Sequence, residues 1–566
     1  MRATRYGIGG LICLMGVLSL SAQNTYIPLG AEEYRLLDRM SLLYAPPSEM
    51  HAAIRPFRRE DAAKLAWSYL ELGVTGKDRE GLIRIVRNNN EFLHQVDSSV
   101  HTSLRLESER PFLKSFYRTP AHLYELDTES FYLRVNPLIH FGLAREQGDD
   151  DPLFVNRRGI EIRGGIDQRV FFATDIIETQ ARPPSHVRQW VLDNKAYPDA
   201  GLFKRYRSSL FDFEGAYDYL NSSGYLGFNI SEHVGVHLGH GKNVIGDGYR
   251  SLLLSDFAKN YFYLKLNTRV WKIHYQNIFA ELSAAERESN IAVFPKKYLA
   301  AHYLSFRPRP NLSFGIFEAV VFAREDNRFE LQYLNPVILY RTIEQHVGSP
   351  DNVLIGLNAS WDIKHAVRLY GQIMLDEFKV SEFFSSNQWW GNKFGIQAGV
   401  KYPNALQIES LDLQLEYNRV RPFTYSHRDS MGSYAHFNQP LAHPLGANFT
   451  EVILGVSYQP LERLHLQTRL FVINTAEDTE DIYYGTSILR PNGTRNADYG
   501  VEQGQGVGVD NTILTFLARY RLKHNLFVEG EYFRRSYQSA DPSSDLLTQY
   551  VSLAVRWNLF YRLQEF

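Results

Sequence analysis

Between Gln549 and Phe566, Val551, Leu553, Val555, Trp557, Leu559 and Tyr561 alternate with Ser552, Ala554, Arg556, Asn558, Phe560 and Arg562. Period-two alternation puts a nearly pure apolar face and a mostly polar face on one extended strand. Such a strand reads as the closing strand of an outer-membrane β-barrel, where it also serves as the address for the assembly machinery. Every other element must then close a sheet with it.

A chain of 566 residues would ordinarily divide into several globular domains, but one large closed sheet can absorb hundreds of residues. Aromatic residues make up 14%, mostly Tyr and Phe; Tyr and Trp suit a membrane–water boundary because each has an apolar body and a polar tip. The negative mean hydropathy argues against membrane-spanning helices and is compatible with a barrel, in which only alternate residues meet lipid. Residues 1–22 read as a secretory signal peptide: Arg2 and Arg5, an apolar run from Gly10 to Leu20, then Ser21-Ala22 before Gln23. The one cysteine, Cys13, lies in that run, so the processed chain has no thiol chemistry. Loss of Arg2 and Arg5 takes the net charge from −2 to −4, a balance that gives no sign of nucleic-acid binding.

From Ala31 to about Val100 the period is helical. Tyr34, Leu36, Leu37, Met40 and Leu43 form one stripe. Leu65, Ala66, Tyr69, Leu70 and Leu72 form a second, stopped by Gly73. Leu82, Ile83, Ile85, Val86, Phe92 and Leu93 form a third. Residues 23–128 are therefore expected to be a small periplasmic or plug region, and 129–566 the barrel. Short alternating strands follow, as in Leu411–Asn418, where Leu, Leu, Leu and Tyr alternate with Asp, Gln, Glu and Asn. Turns are legible at Pro308–Asn311, Lys523–Asn525 and Gln459-Pro460. The polar faces carry too much charge for a sandwich core and suit a wet lumen; about 16–18 strands are expected of such a barrel. A β-sandwich or propeller fits less well, because no repeat period is present. The expected fold is an all-β transmembrane barrel, antiparallel and in the outer membrane. Long segments at Arg182–Leu210, Arg324–Asp351, Val380–Asn392, Arg421–Phe449 and Asn474–Gly508 are expected outside the cell, the last of them mobile for its Gly, Asn and Asp.

Three constellations stand out. His240–Asp256 carries Lys242, Asp247, Tyr249 and Arg250 around Gly246 and Gly248: either a hydrogen-bonding surface for a hydroxyl-rich or acidic ligand, or a Gly turn whose charges pair across the lumen. It lacks the Gly-Lys-Ser/Thr of a phosphate loop. Arg421–Asn448 carries Arg421, Tyr425, His427, His436 and His443, whose histidine spacing fits no compact zinc motif; an ordered loop is expected, with no metal. Asp376 and Glu377 stand near Trp389 and Trp390. Aromatic faces pack on the C–H face of a sugar while carboxylates take its hydroxyls; the alternative is an interfacial aromatic belt. As strand neighbours, Asp376 and Glu377 should point to opposite faces, which speaks against a glycosidase pair. No Gly-x-Ser-x-Gly surrounds Ser251, which speaks against a lipase.

Ile245-Gly-Asp-Gly-Tyr-Arg-Ser-Leu-Leu-Leu-Ser-Asp256, Tyr333-Leu-Asn-Pro-Val337, Gly348-Ser-Pro-Asp-Asn352 and Asn438-Gln-Pro-Leu-Ala-His-Pro-Leu-Gly-Ala-Asn-Phe449 together resemble the Wzi-type capsule-assembly barrels, in the Bacteroidetes branch labelled gliding-motility protein RemB. The likeness covers nearly all of the processed chain. It implies an outer-membrane barrel with periplasmic helices that holds polysaccharide at the cell surface or, in the gliding branch, serves adhesion and motility. It transfers no ligand residue. The candidate polysaccharide-binding residues come from the loops: Lys242, Asp247, Tyr249, Arg250, Asp376, Glu377, Trp389, Trp390, Arg421, Tyr425, His427 and His436. The expected partners are outer-membrane lipid, surface or capsular polysaccharide and envelope proteins, without nucleic acid, cofactor or catalytic activity. A structural part of a motility or secretion assembly, or a solute channel, is the alternative.

Overall fold

A computed structural model describes residues 25–566 except 45–49, 93–107, 109–112, 114, 168, 208–212, 285–293, 325, 349, 386 and 561–564. The signal peptide at 1–22, Leu93, and Tyr561 with Arg562 of the terminal alternation lie outside the described residues. Eighteen long strands close into one antiparallel barrel. In chain order they are β1 (Phe131–Glu146), β2 (Leu153–Ile166), β3 (Val170–Arg182), β4 (Tyr217–Asn229), β5 (Val234–Gly241), β6 (Tyr261–Val270), β7 (Ile273–Ser283), β8 (Lys296–Arg309), β9 (Leu312–Phe322), β10 (Asn352–Ile363), β11 (Val367–Glu377), β12 (Lys393–Tyr402), β13 (Leu411–Val420), β14 (Phe449–Leu461), β15 (Leu464–Glu477), β16 (Val507–Lys523), β17 (Leu526–Ser539) and β18 (Leu546–Trp557). Closure comes from β18 pairing with β1, Trp557 opposite Ile139 and Tyr550 opposite Glu146. Among the described residues no helix is long and apolar enough to cross a membrane.

Alternation sorts the two faces. Leu143, Ile176, Leu238, Leu357, Leu415, Val472 and Leu553 point outward and are exposed, whereas Arg163, Gln372, Glu416, Asn418 and Glu529 are buried inside. Only a lipid surround makes an apolar outside and a charged inside favourable together. Tight turns such as His524-Asn525 and Pro310-Asn311 gather at one end, and the long connections at the other. Short turns mark the periplasmic end of such barrels. Pro460 does not turn the chain. Strand β14 runs through a register shift to Leu461, which pairs with Leu464; the missing N–H of Pro460 falls at the irregularity, where a ladder bond is already absent.

Helices α1 (Glu32–Leu43), α2 (Arg59–Glu71) and α3 (Gly76–Asn88) fill the periplasmic mouth. Their stripes, with Leu37, Met40, Leu65, Tyr69, Ile85 and Val86, pack on one another. The rest of their surface is charged and meets lumen charges: Lys401 to Asp38 at 2.7 Å, Arg269 to Asp61 at 2.6 Å, Arg519 to Glu32 at 2.6 Å, and Arg39 to Asp412. These helices are the floor of the barrel.

The terminal alternation forms a strand only to Trp557. Of the described residues beyond it, Leu559, Glu565 and Phe566 are buried. Phe566 is buried against Trp190, Phe257 and His186, and Glu565 reaches Arg469 at 3.2 Å. Leu559 and Phe566 thus find their apolar surroundings inside the barrel.

Candidate functional site

The segment between β5 and β6 folds down into the lumen as a roof. The wall and the 421–448 connection above it both supply hydrogen bonds to its backbone. Glu416, fully buried, accepts from the Tyr249 and Arg250 amides at 2.6 and 3.0 Å and from the Tyr370 hydroxyl at 2.7 Å. Gln372 accepts from the Leu252 amide at 2.8 Å and donates to the Ile245 carbonyl at 3.1 Å. Tyr425 and Tyr434 hydroxyls donate to the Leu252 and Leu253 carbonyls at 2.7 and 2.8 Å. Gly246 has φ +150°, and a Cβ on Gly248 would stand 2.6 Å from Glu416 Oε2, so both glycines are set by close approach. From below, Ile54 and Arg55 pair with Ile245 and Val244. A chamber of about 430 Å³ remains between floor and roof, lined by Asp38, Arg39, Lys401, Tyr249, Arg469 and Glu565 among others.

This division separates the expected binding residues. Asp247 is buried and accepts from Asn358 at 2.9 Å. Lys242 is ion-paired with Asp199. Arg250 meets Glu451 at 3.3 Å, and Tyr249 meets Glu565. All four are engaged inside the barrel. The segment from Arg421 to Asn448 closes over them and is largely buried. Tyr425 donates its amide to Asp376 at 2.7 Å. Burial brings the His427 imidazole down to about 4 and that of His436 to about 3, so both are neutral at pH 7. The His436 Nδ1 accepts from the Ser283 amide at 3.0 Å, leaving Nε2–H to donate to the Asn260 carbonyl at 3.2 Å. His443 instead faces Glu451 at 2.7 Å.

Asp376 and Glu377 do not diverge as strand neighbours should. A register shift between Leu375 and Glu377 sets Glu377 opposite Lys393, and Lys393 Nζ lies 3.1 Å from both carboxylates. The bulge places an extra residue on one strand and re-aims its side chain. Asp376 is buried, while Glu377 faces the rim half-exposed.

At the rim, residues 387–390 are stitched to the connection between β15 and β16. Trp390 N–H donates to Asp498 O at 2.9 Å, and Val501 N–H to Gln388 O at 3.0 Å. The Trp389 and Trp390 rings are 6.0 Å apart and both half-buried. Trp390 abuts Phe423 at 5.9 Å, which abuts Tyr483 at 5.0 Å. Arg495 stacks over Trp390 at 3.9 Å and Lys379 approaches Trp389 at 5.7 Å. Arg421 reaches the same loop, donating to Val501 O at 3.0 Å. Sequence reading missed Arg495, Lys379 and Tyr483. It expected a mobile segment at Asn474–Gly508, yet β15 and β16 extend into that range, and Asp478 accepts from the Tyr484 and Ser487 amides at 2.7 and 2.8 Å. The available signal was Asp478 ahead of Tyr484, Gly485 and Ser487, a carboxylate placed to gather loop amides. The rim is therefore a cationic–aromatic platform with a carboxylate beside it. It can stack on a sugar face and bond its hydroxyls or an acidic substituent.

A family model described as capsule assembly protein Wzi matches residues 150–537. No curated protein matches the sequence. Among solved structures, the Escherichia coli outer-membrane protein Wzi, described as involved in group 1 capsule assembly and as a carbohydrate-binding β-barrel, aligns with TM-score 0.55 at 12% identity, covering 96% of this chain and all of that one. OprD of Pseudomonas aeruginosa (TM-score 0.40, 11% identity, 75% and 94% covered) and OccAB2 of Acinetobacter baumannii (TM-score 0.40, 8% identity, 75% and 97% covered) align more loosely.

Proposed function

The chain belongs to the capsule assembly protein Wzi family, and we propose that it holds surface or capsular polysaccharide on its extracellular rim as a non-enzymatic anchor in the outer membrane. One observation carries the reading. The lumen is occupied from above by residues 242–256 and from below by α1–α3, while Trp389, Trp390, Arg495 and Glu377 remain at the rim. Glycan recognition then falls to the rim, and the filled lumen argues against a solute channel.

Protein purified in detergent from its own envelope is expected to retain glycan. Trp389→Ala with Trp390→Ala should weaken retention about tenfold, since each lost stacking contact is worth roughly 0.5–1.5 kcal/mol. Heat-modifiable gel mobility should stay that of the folded barrel. Undiminished retention by the folded double variant would remove the tryptophans from the site.

The finer placement, in the Bacteroidetes branch labelled gliding-motility protein RemB, rests on the 245–256, 333–337, 348–352 and 438–449 motifs. It brings a second reading, a membrane anchor for an adhesion, motility or secretion assembly. Crosslinked membranes separate the two: stoichiometric protein partners without glycan favour the assembly.

A further inference from the structure

Strands β7 to β9 carry a polar patch on the outside of the barrel. Lys297, Leu299, Ala301, Tyr303 and Ser305 face the lumen, where Lys297 reaches Ser433 O at 2.8 Å and Ser305 reaches His51 at 2.7 Å. Alternation therefore turns His302 outward, and its register partner Glu318 with it. The two meet at 2.7 Å, with the Tyr275 hydroxyl 3.0 Å from the other ring nitrogen. On the outer wall of a membrane barrel such a cluster would stand in hydrocarbon, at a cost of several kcal/mol for each unsatisfied group.

Residues 326–348 cover it. They leave the top of β9 and fold back down the outside of the barrel. Glu318 accepts from the Tyr340 and Arg341 amides at 2.9 and 3.0 Å. Pro336 O accepts from Asn277 at 3.2 Å and from the Tyr275 hydroxyl. The Tyr340 ring stacks on His302 at 4.3 Å, and Tyr333 and Tyr340 pack with Phe279, Tyr298, Val320 and Phe322. Within the Tyr333–Val337 motif, Tyr333 and Pro336 seat on the wall beside Tyr340, while Leu334 and Val337 face away from it.

Between Leu331 and Leu339 the segment's other side leaves apolar side chains uncovered, with Leu331 72% exposed, Val337 82% and Leu339 63%, and Leu334 and Ile338 beside them. Gln332 and Asn335 are the exposed polar side chains among them, and the charged Asp326, Arg328 and Arg341 stand outside that run. Depth decides what meets it. Glu318 is six residues above Leu312 at the periplasmic turn, a rise of about 15 Å at ~3.3 Å per residue and a tilt near 40°. That height lies within an apolar band about 25 Å tall. Its lateral neighbour is Ile355, and one step lower stand Ile316 and Leu357, all exposed members of the lipid-facing belt. The uncovered side chains continue that belt.

We propose that residues 331–340 form a membrane-embedded flap, latched to the outer wall through His302, Glu318 and Tyr275, whose Leu331, Leu334, Val337, Ile338 and Leu339 contact the acyl chains of the outer leaflet. The chain is thereby held in the membrane by a loop as well as by strands, on one side of the barrel only.

A fluorophore on Val337→Cys tests this, in proteoliposomes containing lipid that carries a nitroxide on its acyl chain. Labels on Leu357→Cys in the belt and Ser544→Cys on an extracellular turn are the references. The Val337 label should be quenched by the nitroxide lipid to within twofold of the Leu357 label, and at least fivefold less by aqueous iodide than the Ser544 label. Iodide quenching equal to that of Ser544 would overturn the proposal by putting the flap in water. Protection from both quenchers would overturn it by putting a protein surface there.

Discussion

Glu416→Ala should free the roof while leaving the barrel intact. Amide exchange in residues 242–256 should accelerate about a hundredfold, with exchange in the strands unchanged. Glu416 takes bonds from two roof amides, the Tyr370 hydroxyl and Asn418, the last at 3.0 Å. Hydrogen bonds to a charged group are worth roughly 1.5–3 kcal/mol each, and donors left buried without an acceptor add to the loss. A loss on the order of 3 kcal/mol corresponds to the stated acceleration. Glu416→Gln retains a carbonyl acceptor and should lose less. Planar bilayers should stay silent for the wild type and for Glu416→Ala, because the floor still fills the periplasmic mouth. Unchanged exchange in Glu416→Ala would mean that the apolar packing of Leu252–Leu254 holds the roof without the carboxylate.

The floor should come loose in acid. Burial alone would raise the carboxyls of Asp38, Asp61 and Glu32. The opposing charges outweigh it: Lys401 and Arg368 at Asp38, Arg269 and Arg58 at Asp61, Arg84 and Arg519 at Glu32. All three are held below the ordinary carboxylate range. Groups depressed in the folded state contribute stability that is complete above their unfolded values, near 4, and is lost as pH falls through the folded ones. Limited proteolysis should therefore cut α1–α3 at least tenfold faster at pH 3 than at pH 7, with β1–β18 resistant at both. Asp38→Ala, which leaves Lys401 without its carboxylate, should show part of the effect at pH 7, because breaking a buried pair costs about 3–5 kcal/mol. Combined with Glu416→Ala it should produce ion conductance. Equal cleavage at the two pH values would show that the apolar stripes seat the floor by themselves.

Lipid-facing alternation made the barrel legible because period two over many strands is a long-range signal that single residues cannot disturb. Leu411–Asn418 behaves as its pattern requires, with Leu415 outward and Glu416 and Asn418 inside. The helical stripes read equally well, since Leu37, Met40, Leu65 and Val86 meet in one core. What the patterns did not carry was direction. Lys242, Asp247 and Arg250 look like an open polar surface in sequence, but their partners Asp199, Asn358 and Glu451 lie 43, 111 and 201 residues away. Alternation also says nothing of bulges, so the convergence of Asp376 and Glu377 on Lys393 was invisible. Nor does it give the path of a connection: Arg324–Asp351 reads as an extracellular loop, and its course down the wall depends on His302 and Glu318 facing outward, a parity fixed only by the neighbouring strands.

Hydrogen exchange of the protein in nanodiscs, with and without polysaccharide extracted from its own envelope, bears most directly on a sealed barrel that binds glycan on its rim. Added polysaccharide should slow exchange in residues 387–392 and 494–501 and leave 242–256 unchanged. Protection confined to 242–256 or to the chamber above α1, with the rim unaffected, would contradict it.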